Sequence, residues 1–102
     1  RQYNSGKKVR LQVEAIAEIE LKEQELLQSI ESLTQLANAK MEWIDQDLYM
    51  LYKARLDIID ELILSCLEAI RENEYNINAR KYLFLAYEDK ISTLKKIVEI
   101  ES

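Results

Sequence analysis

Residues 58–87 decide the fold of this chain and read IIDELILSCLEAIRENEYNINARKYLFLAY. The first half carries apolar residues at helical spacing, residues 72–76 form a polar break, and apolar helical spacing then resumes. The break contains two asparagines, a residue type that suits helix caps and turns. The stretch therefore predicts two antiparallel helices joined by a tight corner, with Asn76 as the N-cap of the second.

Residues that interrupt helices are almost missing from the 102-residue chain, which has no proline and a single glycine, Gly6. A third apolar stripe extends from Val9 to Ala37, and Met41, Ile44 and Leu48 continue it. One unbroken helix through this region is an alternative, but at about 65 residues it would be about 100 Å long and could not bury its own stripe in a monomer. We therefore expect a corner between residues 38 and 47, with Asp45 or Asp47 capping the next helix.

The predicted fold is all-α, an antiparallel three-helix bundle with a long first helix and coiled-coil-like packing. Helices are expected at about 7–40, 45–73 and 76–100, in a single domain that spans 7–102. Residues 1–6 are expected to form a flexible arm, in which Asn4 or Ser5 caps the first helix.

The width of each apolar stripe predicts where its helix lies in the bundle. The second helix has the widest stripe, so we expect it in the middle, in contact with both neighbours. Gln12 and Glu23 interrupt the stripe of the first helix. That part should project or meet a partner, whereas Leu26 to Ala37 should pack firmly.

Side chains that support catalysis are scarce, because the chain has no histidine and one cysteine, Cys66, which falls on a predicted buried face. Asp57, Asp60 and Glu61 form the closest acidic group, and we interpret them as a solvated face with local ion pairs. The sequence therefore predicts no catalytic, cofactor-binding or metal-binding residues, and a protein that is not an enzyme.

Charge and hydropathy argue against two other classes of ligand. The net charge is -5, and the only basic cluster, formed by Arg1, Lys7, Lys8 and Arg10, lies near the N-terminus. Binding to nucleic acid is therefore not expected of this chain. The densest apolar stretch, residues 58–70, contains three acidic residues and is too short and too interrupted to span a bilayer.

A partner protein or a second copy of the chain is the expected ligand. Among the aromatic residues, Tyr52 and Tyr87 fall on predicted buried stripes, whereas others fall off the strongest stripes and suggest a recognition surface. The predicted partner-binding residues are Leu26, Ile30, Leu33, Trp43, Tyr49, Tyr82 and Phe84.

Residues 69–87 resemble the junction between tetratricopeptide repeats. Leu83, Ala86 and Tyr87 match the leucine, alanine and tyrosine of that motif, and Ala69 matches its small residue in the preceding helix. Glu74 stands where the motif has proline, and no second copy follows at a period of 34 residues. This resemblance implies a cytoplasmic scaffold that binds a peptide or a partner helix between its second and third helices.

A closer resemblance, over residues 45–99, is to the extracytoplasmic region of bacterial membrane-anchored anti-sigma factors of the zinc-finger type. The matching residues are Glu68, Ala69, Asn73, Asn76, Arg80, Tyr82, Leu83, Ala86, Tyr87, Lys90 and Leu94. The resemblance implies a periplasmic regulatory domain that binds a partner or dimerises, with a membrane anchor upstream of Arg1.

Overall fold

The computed structural model describes the backbone of residues 2–101 and the side chains of residues 10–101. Three helices and no strand occur in that range: α1 (Gln2–Met41), α2 (Gln46–Glu72) and α3 (Ile77–Val98). The all-α three-helix bundle is therefore confirmed. Residues 42–45 separate α1 from α2, so the predicted corner is present and the alternative of one continuous helix is wrong.

Local side-chain caps explain both corners. The N–H of Asp47 donates to Asp45 Oδ2 at 3.0 Å, and the N–H of Ala79 donates to Asn76 Oδ1 at 3.0 Å. Each bond satisfies an N–H group that the first turn of a helix leaves without a partner. The caps predicted at Asp45 and Asn76 are confirmed.

The start of α1 differs from the prediction. The helix begins at Gln2, so Asn4, Ser5 and Gly6 lie inside it and do not form an arm. A single glycine costs a helix only about 1 kcal/mol relative to alanine, which is too little to interrupt one this long. The side chains of Arg1, Lys7 and Lys8 from the predicted basic cluster lie outside the described residues, and Arg10 is exposed.

The central helix is α3, which packs along both α1 and α2, whereas α1 and α2 barely touch. The prediction that α2 lies in the middle is therefore wrong. Thr93 and Asp89 of α3 contact α2, and Ala79 and Ala86 lie on the same side of the helix as Thr93, at intervals of seven residues. These small residues let α2 approach closely, while the next row of α3, which begins at Arg80, meets α1.

One core joins the three helices. Its buried members are Ile30, Ala37, Cys66, Leu83, Tyr87, Leu94 and Ile97, and Leu26, Leu33, Met41, Tyr52, Leu56, Ile63, Ile70, Ile91 and Val98 pack against them. The core positions predicted for Tyr52, Cys66 and Tyr87 are confirmed, as is the firm packing of residues 26–37.

The bundle is elongated, measuring 64 × 20 × 14 Å, and its length is close to the 60 Å or so expected of a 40-residue helix. Glu23 of α1 lies beside Arg80, near the start of α3, so the earlier turns of α1 extend past the other helices. Residues 10–15 are exposed, and Ile16 is the first buried residue among the described side chains. The predicted projection is confirmed for the Gln12 region, but it is wrong for Glu23, whose side chain is bound by Arg80 within the bundle.

Candidate interaction surfaces

A buried arginine fastens α1 to the corner between α2 and α3. Arg80 is only 6% exposed, and its guanidinium donates from Nε to the carbonyl of Glu74 at 2.8 Å. The same group donates from Nη1 to Glu23 Oε1 at 3.4 Å, and Glu20 Oε1 lies 4.0 Å from Nη2. One side chain therefore links two helices and the corner.

Burial dominates the electrostatics of this cluster. The carboxylate of Glu23 is largely shielded from water, which raises its pKa above the ordinary value of 4.5, although the charge and hydrogen bond of Arg80 lower it again. The pKa of the nearby Tyr87 hydroxyl is also raised, mainly by burial and further by the negative charge of Glu23. The cluster is a structural clamp whose charged groups already bind one another.

The sequence did not lead us to predict this clamp. Glu23 was interpreted as a polar interruption of the α1 stripe, and Arg80 as one of the residues that match the anti-sigma factors. The signal was present: each charge sits at a stripe position of its helix, and the two charges have opposite signs. Opposite charges on two predicted buried stripes indicate a buried ion pair between those helices.

A groove of about 450 Å³ lies where α1 and α2 diverge, with Leu94 of α3 among the residues that line it. Four of its charged groups form two ion pairs: Lys90 Nζ contacts Asp60 Oδ1 at 2.6 Å, and Lys53 Nζ contacts Asp57 Oδ2 at 3.4 Å. Glu42 also lines the groove. The interpretation as ion-pair partners is confirmed for Asp57 and Asp60, with Lys90 supplied by α3, whereas Glu61 is exposed and forms no ion pair among the described residues. Residues 10–101 contain no group of side chains suited to holding a metal ion.

The predicted contacts on α1 are occupied within the chain. Ile30 belongs to the core, and Leu26 and Leu33 are partly buried against it. Because α3 covers this face of α1, Ile30 packs inside the molecule, which corrects its place in the predicted partner-binding set. Leu26 and Leu33 are half-buried and keep part of their surface accessible.

The four predicted aromatic contacts lie on different surfaces. Trp43 is 79% exposed in the corner between α1 and α2, and Tyr49 lines the groove between those helices. Phe84 is half-buried beside Ile19 in a small apolar pocket, and Tyr82 is exposed on α3. The structure does not bring them into one concave site.

A second apolar face of α2 is uncovered, because α3 takes only one side of the wide stripe. Leu51, Ile58 and Leu62 are 63%, 68% and 47% exposed. They belong to a row at intervals of three and four residues, the spacing of a coiled-coil seam, which we name the outer seam. The outer seam consists of Leu48, Leu51, Arg55, Ile58, Leu62, Ser65 and Ala69.

Two contacts with α3 fix one edge of the outer seam. Arg55 donates from Nη2 to Asp89 Oδ1 at 3.0 Å and from Nε to Thr93 Oγ1 at 3.2 Å. Tyr82 lies seven residues before Asp89 and therefore on the same side of α3. Because α2 and α3 are antiparallel, Tyr82 borders the outer seam near Leu62 and Ser65. The outer seam is thus mainly apolar, its charged member Arg55 is held by α3, and the exposed Tyr82 lies beside it.

No family model matches this chain, no curated protein is significantly similar to it, and no solved structure matches it significantly. Among the described residues, no helix has the length and apolar character needed to cross a membrane.

Proposed function

We propose that this chain is a non-enzymatic helical domain that binds a protein partner through the outer seam of α2. The observation that carries the proposal is the exposure of Leu51, Ile58 and Leu62 along one face of a helix whose other face is buried. Full burial of each remaining exposed fraction would gain about 1 to 2 kcal/mol, which is a substantial driving force for association.

The biological setting that we propose is the extracytoplasmic part of a bacterial membrane-anchored regulator related to anti-sigma factors. The support for it is the resemblance over residues 45–99. Five residues of that resemblance are buried and shape the packing of α3: Arg80, Leu83, Ala86, Tyr87 and Leu94. This leaves Tyr82 as the exposed aromatic of the set, at the border of the outer seam.

Site-specific photo-crosslinking in cells tests the interaction. A photoreactive amino acid replaces Ile58 in the full-length protein, and in a control it replaces Leu64, which is 65% exposed on the same helix but lies outside the outer seam. We expect a discrete adduct with another protein from position 58 and none from position 64. Equal adducts from both positions, or none from either, would contradict the proposed function.

Cysteine labelling in intact bacterial cells tests the location. Ser32 is exposed on α1, so Ser32→Cys should react with a membrane-impermeant maleimide before lysis if the domain is extracytoplasmic. The unmodified protein is the matched control, because the thiol of Cys66 is buried. Labelling only after lysis would overturn the extracytoplasmic assignment and favour the cytoplasmic scaffold.

The alternative function, a cytoplasmic scaffold that binds a peptide or helix, would use the same surface, since the outer seam lies on α2 next to α3. Its dimensions differ from those of a single tetratricopeptide repeat: α2 and α3 with their corner occupy residues 46–98, whereas one repeat has 34 residues. The alternative is therefore a helix-binding module with its own dimensions.

A further inference from the structure

The outer seam of α2 has one acidic side. Asp47, Glu61 and Glu68 are exposed, at intervals of fourteen and seven residues, and each immediately precedes a residue of the outer seam. In coiled-coil terms they occupy the flanking positions whose charges select a partner. The only ion pair within the described residues that involves this row joins Glu68 to Arg71 at 3.9 Å, on the surface.

The opposite side of the outer seam is closed. Ile59 and Cys66 immediately follow Ile58 and Ser65, and both are buried against the rest of the bundle. A helix that docks on the outer seam must therefore approach from the acidic side.

A second copy of the chain is a poor occupant of this strip. Parallel pairing of two α2 helices needs the flank that α3 already covers. Antiparallel pairing sets the acidic row of one copy against the acidic row of the other, and like charges at such positions oppose association.

We infer that the outer seam binds an amphipathic helix whose apolar stripe is flanked by lysine or arginine. The inference rests on the proposed function and adds the chemistry of the partner. Leu51, Ile58 and Leu62 supply the apolar contact. The acidic row that contains Glu61 and Glu68 forms ion pairs with the lysine or arginine residues of the partner helix. Tyr82 provides the kind of large amphipathic side chain that often dominates interface energy.

The length of the outer seam determines how long a peptide is needed to test the inference. From Leu48 to Ala69 the outer seam is about 30 Å long, which a helix of about 20 residues covers. We would use two synthetic fluorescent peptides of that length, both with leucine at the seam positions. One has lysine at the flanking positions and the other has glutamate, and the repeated charge discourages either peptide from pairing with itself.

Fluorescence anisotropy with the full chain measures the affinities. The lysine-flanked peptide should bind at least about tenfold more tightly than the glutamate-flanked one, and added salt should reduce the difference. Ile58→Asp should weaken binding at least about tenfold, whereas the matched exposed variant Leu64→Asp should not. Replacing both Glu61 and Glu68 by lysine should reverse the preference between the peptides.

Three results would overturn the inference: no binding of the lysine-flanked peptide, equal binding of both peptides, or equal effects of Ile58→Asp and Leu64→Asp. A concentration-dependent dimer in sedimentation equilibrium that Ile58→Asp removes would make a second copy the occupant instead. If the peptides fail while the photo-crosslinked adduct at position 58 persists, only the partner chemistry is wrong. If the adduct is also missing, the proposed function fails with it.

Discussion

Replacing Arg80 by methionine should strongly destabilise the fold, because this side chain is buried and holds together three parts of the chain. The change removes the hydrogen bond to the Glu74 carbonyl and the ion pair with Glu23. Methionine keeps most of the apolar length of arginine, so the main loss is charge and hydrogen bonding.

The expected loss of stability depends on Glu23, the ion-pair partner that stays buried after Arg80 is replaced. The Glu23 side chain is only 12% exposed, so without Arg80 a carboxylate remains buried and uncompensated. Removing one member of such a pair costs about 3 kcal/mol, out of a total of about 5 to 15 kcal/mol for a domain. For a chain of this size the midpoint of thermal unfolding should fall by roughly 10 to 20 °C.

The destabilisation should depend on pH with a definite sign. The pKa of Glu23 is already raised by burial, and Arg80 is what pulls it down, so in Arg80→Met it rises further. The folded state then binds a proton more tightly than the unfolded state, and the free energy of unfolding falls as pH rises through the folded pKa. The deficit should be largest at neutral pH and smaller near about pH 5.

Urea unfolding followed by far-ultraviolet circular dichroism measures both effects. Replacing Glu23 and Arg80 together by methionine should recover most of the lost stability and remove the pH dependence. Arg71→Met is the matched control, since Arg71 is 79% exposed in a loose surface ion pair and should leave stability unchanged. A loss below about 1 kcal/mol for Arg80→Met, or one that is the same at both pH values, would refute the reasoning.

Three further predictions test the core, the cap and the thiol. Leu94→Ala should lower the free energy of unfolding in urea by about 3 kcal/mol, because Leu94 is only 2% exposed. Leu85→Ala should lower it much less, because Leu85 is half-exposed, and equal losses would contradict the prediction. Asn76→Ala should cost about 1 kcal/mol, because it removes the side-chain bond to the N–H of Ala79, and an unchanged unfolding midpoint would argue against the cap. Burial raises the pKa of the Cys66 thiol, so Ellman's reagent should titrate it only in denaturant, and full reaction in the native protein would show that it is accessible.

Much of the fold could be predicted from local signals. The corners follow from Asp45 and Asn76, whose side chains bond to nearby N–H groups and need no tertiary partner. The order of the helices could not be predicted in this way. Stripe width records how much of α2 is apolar, but not which helix covers it, and Ala79 and Ala86 decide that by letting α3 come close to α2.

The candidate surface was predicted only in part. The wide apolar stripe of α2 was visible in the sequence, but α2 was expected in the middle, where both neighbouring helices would cover that stripe. Exposure of Ile58 and Leu62 became apparent only once α3 was known to be central. On α1 the error was the opposite one, since Ile30 was proposed as a partner contact and is buried.

The central position of α3 has a consequence for how the protein is made. Because α1 and α2 barely touch, an emerging chain that ends at the corner after Glu72 has two amphipathic helices and no shared interior. Stable structure must then wait for α3 to leave the ribosome, and the Glu23 to Arg80 link closes a loop of 57 residues. Until α3 emerges, the nascent chain exposes apolar surface that is prone to aggregate. Chaperones would therefore be most needed during synthesis.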